Sequence, residues 1–111
     1  MRLSQDKIED IYYGEVIHNF KKLGYEYTLS PDLNIELYHK DNTMPDITIK
    51  TYISDGYYIY TPILEFPTLS YEDTNGNGEY VSWILDKWAE VGRACENLYL
   101  FSFNENDYID E

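Results

Sequence analysis

Apolar residues recur at every fourth position near the start of the chain, at Ile8, Tyr12, Val16 and Phe20, and Leu23 closes the series. At about 100° per residue these side chains share one helical face, which Tyr13 widens. Lys7, Asp10, His18, Lys21 and Lys22 fall on the opposite side. Ser4 suits the N-cap, where its hydroxyl accepts from the first turn, and Gly24 suits the left-handed position that ends a helix. The pattern predicts a helix from Ser4 to Leu23.

The period then changes from four to two. Tyr25–Leu29 reads as a strand and Ser30-Pro31-Asp32 as a turn. Asn34–Lys40 alternates, with Ile35 and Leu37 on one side and Glu36 and Tyr38 on the other. Asp41–Pro45 interrupts it, Asp46–Ile53 alternates again, and Asp55-Gly56 marks a hairpin into Tyr57–Leu64. Two registers compete there. A two-residue Asp55-Gly56 loop pairs Ile53 with Tyr58 and mixes isoleucine with tyrosine on each face. A three-residue loop from Ser54 to Gly56, with Gly56 left-handed in a G1 bulge, pairs Ile53 with Tyr57. The bulge gathers Ile47, Ile49, Ile53, Tyr57, Ile59 and Ile63 on one face, and a slip of one residue would turn them all outward. Burial of isoleucine therefore predicts the bulged register. It leaves Lys50, Tyr52, Tyr58 and Tyr60 beside Glu36 and Tyr38 on the other face, and Pro62 points to an edge strand.

Pro67–Glu79 is the longest irregular stretch and holds Glu72, Asp73 and Glu79 without a base. A second helix is expected from about Tyr80 to Asn97, with Val81, Ile84, Leu85, Trp88, Val91 and Cys95 inward and Trp83, Asp86, Glu90 and Arg93 off that stripe. Leu98–Phe103 reads as a last strand, with continuation of the helix as the alternative. Together these elements predict one α+β domain over residues 1–111. Two helices pack on one face of an antiparallel sheet of three to five strands, in the order α-β-β-β(-β)-α-β, with an acidic tail at 104–111.

Charge adds the second layer. The 111 residues carry 21 Asp and Glu against 8 Lys and Arg, a net charge of −13, together with 13 tyrosines. Charge of one sign at that density self-repels, so it serves solubility or a cationic partner. Aromatics at 17% set the chain apart from disordered acidic sequences. Residues 1–66 hold 11 acids and 6 bases, and residues 67–111 hold 10 acids and 2 bases, so the shorter C-terminal part is the more negative. Phosphate contacts need clustered Lys and Arg, which are missing, so direct binding of DNA or RNA is disfavoured. No stretch reaches the length of a membrane span. The start, MRLSQDKIEDIYY, lacks the apolar core of a secretory signal, and the single Cys95 excludes an internal disulfide; both lead to the expectation of a cytoplasmic protein.

Catalytic chemistry finds little footing. Asp73-Thr74-Asn75-Gly76-Asn77-Gly78 matches the first half of an EF-hand calcium loop, but Ile84 occupies the twelfth position, where a bidentate Glu belongs. His18 and His39 lack partners at metal-ligand spacing. Cys95 lies on the apolar stripe, where a thiol behaves as a small hydrophobe. No phosphate-binding loop, nucleophile elbow or zincin helix is present. The expectation is a non-enzymatic protein without cofactor or metal.

The candidate contact residues are the carboxylates Glu65, Glu72, Asp73, Glu79, Asp86, Glu90, Glu105, Asp107 and Asp110, with Trp83 and the tyrosine face Tyr52, Tyr58 and Tyr60. Carboxylates spaced like phosphates would steer the chain to a Lys- and Arg-lined groove, and tyrosines would hold it there. In the order helix, strands, helix, with the Asp55-Gly56 hairpin and strong acidity, the chain resembles small phage-borne inhibitors. It is similar in layout to anti-CRISPR proteins that imitate DNA on Cas9, and more loosely to antirestriction DNA mimics. That resemblance implies a basic protein partner, a nuclease or CRISPR effector, whose DNA-binding groove is occupied by carboxylates such as Glu72, Asp73, Asp107 and Asp110. An immunity protein or antitoxin for a basic nuclease toxin uses the same physics, and a homo-oligomeric structural protein using the tyrosine face is a third reading; the chain could act as monomer or dimer. Double-stranded RNA-binding domains share the element order, but Asp86 and Glu90 stand where their second helix needs bases.

Overall fold

The computed structural model describes residues 3–98 and 102–108. The first helical segment comprises α1 (Gln5–Tyr12), a π-helical turn (Tyr13–Ile17) and α2 (His18–Lys21). Ser4 caps it, its hydroxyl accepting the Lys7 N–H at 3.2 Å. The π turn accounts for the four-residue spacing. In an unbroken α-helix a residue four places on lies about 40° past the start, so the stripe from Ile8 to Phe20 would drift by about 120°. The wider turn absorbs one residue, and Ile8, Tyr12, Val16 and Phe20 all stay buried. It also swings Ile17, about 180° from Ile8 on a straight helix, fully into the core. Tyr13, expected to widen the apolar face, is 43% exposed, and Ile11 and Ile17 take its place.

Gly24 follows with φ +94°, where a Cβ would sit 2.5 Å from the His39 ring. That imidazole closes the corner: Nδ1 accepts the Asp41 N–H at 2.9 Å, so Nε2 carries the hydrogen and donates to the Leu23 carbonyl at 3.2 Å. Gly24→Ala adds left-handed strain and displaces the ring. It is expected to cost about 1–3 kcal/mol, read as a lower urea midpoint with an unchanged slope.

Strands β1 (Tyr25–Leu29), β2 (Ile35–His39), β3 (Asp46–Ser54), β4 (Tyr57–Glu65) and β5 (Phe103–Asn104) form one antiparallel sheet in chain order, and the fold is α+β. The β3–β4 hairpin corrects the expected register. Ser54 pairs with Tyr57 and Ile53 with Tyr58. Asp55 at φ 52° and Gly56 at φ 82° are both left-handed, which is the two-residue type I′ turn whose twist suits the flanking strands. Tyr58 and Tyr60, expected on the outer face, are therefore buried, while Tyr57, Ile59 and Ile63, expected inside, are exposed. Ile53 points inward but lies next to the hairpin tip and is also exposed.

Ring packing is the physical reason. Tyr58 stacks on Phe103 with centroids 4.6 Å apart, and Tyr60 meets Tyr12 edge-on at 5.3 Å. Each such pair contributes about 0.5–1.5 kcal/mol beyond area burial. Phe103 comes from the far end of the chain, because β5 pairs with the start of β4 through Tyr57–Asn104 and Tyr58–Phe103. Because β5 pairs only with the start of β4, the rest of β4 from Ile59 to Glu65 has β3 as its one strand partner among the described residues, and Pro62 sits on that open edge as expected.

Helix α4 (Gly78–Leu98) has 21 residues and a length of about 31 Å. Ile84, Val91, Cys95 and Leu98 are buried; Leu85, expected inward, is 49% exposed. A short helix, α3 (Tyr71–Thr74), occupies part of the stretch expected to be irregular. Ser70 and Asp73 form a capping box, Asn75 ends α3 in the left-handed region, and Asn77 Oδ1 accepts the Glu79 and Tyr80 N–H groups. The calcium-like stretch thus spends its polar side chains on helix caps. Helix α4 extends through Leu98, residues 99–101 of the expected last strand lie outside the described residues, and pairing resumes at Phe103.

Trp88 fixes the path of α4: its indole N–H donates to the Thr43 carbonyl at 2.7 Å, and its ring lies 4.9 Å from that of Phe66. The later turns of α4 join α1 and α2 over the inner face of the sheet, where Val91, Cys95 and Leu98 meet Tyr25, Leu37, Ile49 and Tyr60 in one core. The first turns extend past the sheet with α3, and Ile84 is buried there outside the main core cluster. The molecule is elongated, 59 × 23 × 21 Å, with a radius of gyration of 16.4 Å against about 13 Å for a compact domain of this length.

Candidate protein-binding surface

None of the described Asp and Glu side chains is buried. They do not gather at one place. Glu72 and Asp73 stand on α3 and Glu79 in the first turn of α4, all exposed, with Glu65 at the end of β4 and Asp86 further along α4. Acids at helix starts also face the positive end of the helix dipole, which favours them locally. Glu105 and Asp107 lie in a 3₁₀ turn (Glu105–Tyr108) at the hairpin end of the sheet. There the Glu105 N–H donates to the Gly56 carbonyl at 3.1 Å, and the Tyr58 hydroxyl donates to its carboxylate at 3.5 Å. The nine residues of β4, about 30 Å of strand, separate this group from the α3 group. Asp110 lies outside the described residues.

Trp83 and Glu90 belong to a different environment. They line a cleft of about 160 Å³ with Lys22, His39, Asp41 and Lys87. Glu90 pairs with Lys87 at 3.7 Å, and the same Lys87 ammonium sits 5.6 Å from the Trp83 ring, itself stacked on Tyr80. Such an exposed ion pair contributes only about 0–1 kcal/mol, but it neutralises Glu90 within the chain. A larger groove of about 400 Å³ adjoins it between α2 and α4, with Glu15, Lys22 and Arg93 among its walls. Its mixed charge comes from two helices meeting, which no local pattern announces.

The tyrosine face is rebuilt by the register. Tyr58 and Tyr60 leave it, at 0% and 1% exposure, because they are core residues. Tyr52 stays at 53%, joined by Tyr38, Tyr57, Ile59 and Ile63. Sequence reasoning placed these last three inside; the Asp55-Gly56 dipeptide, a strong type I′ signal, was the cue that could have put them outside.

The reactive side chains are committed to structure. Burial pushes the Cys95 thiol up to about 11 and the Tyr12 hydroxyl up to about 12, and raises Tyr25 and Tyr60 further. Asp41 is held below the ordinary carboxylate range by hydrogen bonds from the Thr43 N–H and hydroxyl at 3.0 and 2.8 Å. Tyr25 donates to the Pro45 carbonyl at 2.7 Å, tying β1 to the β2–β3 loop. No helix among the described residues is long and apolar enough to cross a membrane. No family model, curated protein or solved structure matches the chain.

Proposed function

We propose that the chain is a non-enzymatic inhibitor that occupies a basic, nucleic-acid-binding surface of another protein, in the manner of the DNA-mimicking anti-CRISPR and antirestriction proteins it resembles. One observation carries the reading: no described carboxylate is buried, and Lys87–Glu90 is the only ion pair among the described residues. Unpaired acids repel one another in the free protein, and a cationic partner relieves that repulsion. The linear charge density also supports it. One strand of nucleic acid carries a phosphate every 3.4 Å, or about 17 charges over the length of this molecule, and a duplex about 35. A net charge of −13 along 59 Å is about three quarters that of a single strand. The non-enzymatic part rests on Cys95, whose thiol is buried and pushed up to about 11, and on His39, whose two nitrogens both hold backbone groups.

Displacement tests this reading. Basic nucleases and CRISPR effectors loaded with fluorescent DNA are titrated with the chain, and release of DNA is expected from at least one of them without degradation of either protein. Full retention of DNA by all of them, at low salt and excess chain, contradicts it.

A further inference from the structure

Among the described residues nothing covers the outer face of the sheet. The register sets Tyr52 opposite Ile59 and Thr48 opposite Ile63, with Tyr38 beside them on β2. Tyr38, Tyr52, Tyr57, Ile59 and Ile63 are each between 41% and 53% exposed. Acids rim this apolar centre. Asp46 faces Glu65 directly across β3 and β4, and Glu26 and Glu36 lie on β1 and β2; within the paired strands Lys50 is the one base on this face. Like charges directly opposed across a ladder are destabilising, so the Asp46–Glu65 pair is a local cost that a bound cation removes.

A second copy of the chain fits badly. Apposing two such faces sets Glu26, Glu36, Asp46 and Glu65 against the same four carboxylates, between molecules that each carry −13. A basic surface with apolar side chains at its centre fits both features. We propose that the outer face of β2, β3 and β4 is the contact surface for such a protein: its Lys and Arg side chains seat against Glu36, Asp46 and Glu65, and its apolar side chains cover Tyr38, Tyr52 and Ile59. Tyrosine at the centre of an interface with charges at the rim is the arrangement that concentrates binding energy. This rests on the reading that the partner is a basic protein. It adds where the partner sits and that charge alone is not enough to hold it.

Two short peptides of equal length and charge serve as probes, one alternating Lys with Leu and the other Lys with Ser, each kept below the concentration at which it self-associates. Both are titrated into the labelled chain at near-physiological salt and followed by amide chemical shifts. The Lys-Leu peptide is expected to bind at least about tenfold more tightly, with shifts centred on β3 and β4. The advantage is expected to vanish in the double variant Tyr52→Ser/Ile59→Ser, whose altered side chains are exposed, and to persist in Glu72→Gln/Glu79→Gln. A melting curve confirms that each variant is folded. Equal affinity for both peptides, or an advantage that survives Tyr52→Ser/Ile59→Ser, overturns the assignment of this face and leaves the basic partner standing. Failure of both peptides to bind even at low salt overturns both.

Discussion

Tyr60→Ala is expected to destabilise the fold by about 3–5 kcal/mol, and Ile59→Ala, one residue away, by less than about 1 kcal/mol. The contrast follows from the hairpin register. Tyr60 is 1% exposed and packs edge-on against Tyr12 across the core, whereas Ile59 is 41% exposed on the uncovered face. Deleting the tyrosine ring leaves a cavity lined by Tyr12 and Phe103, and helix and strand both have to collapse into it to recover the loss. Losses of that size approach the whole stability of an ordinary domain, so the Tyr60 variant is expected to be largely unfolded. Urea titration of the two variants reads the difference directly. In the bulged register the order reverses, with Ile59 costly and Tyr60 nearly silent; that result contradicts the structure.

The second large effect is alkaline unfolding. Tyr12 is completely buried and its hydroxyl is pushed up to about 12 by loss of water contact. In the unfolded chain a tyrosine titrates near 10. Below about pH 10 both states hold the proton and stability does not depend on it. Above that, the unfolded chain releases the proton while the folded chain keeps it, so stability falls as pH rises toward the folded value. For Tyr12 alone a rise of that size corresponds to about 3 kcal/mol. Tyr25 and Tyr60 are shifted further in the same direction by the same burial. Their sum rivals a typical total stability of about 5–15 kcal/mol. The expected result is near-constant near-UV circular dichroism up to about pH 10, then cooperative loss by about pH 12 coincident with tyrosinate absorbance. Ionisation of the buried tyrosines with the dichroism intact would contradict it.

Much of this fold is legible in the chain itself, and the exceptions share a cause. Ser4, the fourfold spacing and Gly24 announced the first helix, and the spacing even encoded the π turn: a stripe at every fourth residue drifts on an ordinary helix and needs one wider turn to stay buried. Asp55-Gly56 announced the hairpin. Its register was misread because isoleucine was ranked above tyrosine for burial, and what makes tyrosine the better core residue here, the ring of Phe103, arrives from the other end of the chain. Helix α3 is too short to show a period; its traces were the caps Ser70, Asp73 and Asn75, which read equally as a turn. The acidity of the candidate surface was plain from composition. Its division between two ends was not, because the path of α4 is set by the Trp88–Thr43 hydrogen bond between residues far apart in sequence. Glu90 was placed on the free acidic surface although Lys87, three residues earlier on the same helix, stands at a spacing where opposite charges pair.

The salt dependence of binding to a basic, DNA-binding protein tests whether unpaired carboxylates drive the proposed association. If unpaired carboxylates drive the association, its rate and affinity fall steeply as salt rises from about 0.01 M to about 1 M, over which the screening length shrinks from about 30 Å to about 3 Å. Lys substitutions at Glu72 and Glu79 are expected to lower the low-salt association rate further, and Tyr52→Ser to act on dissociation. An affinity that is indifferent both to salt and to reversal of these charges would contradict the account.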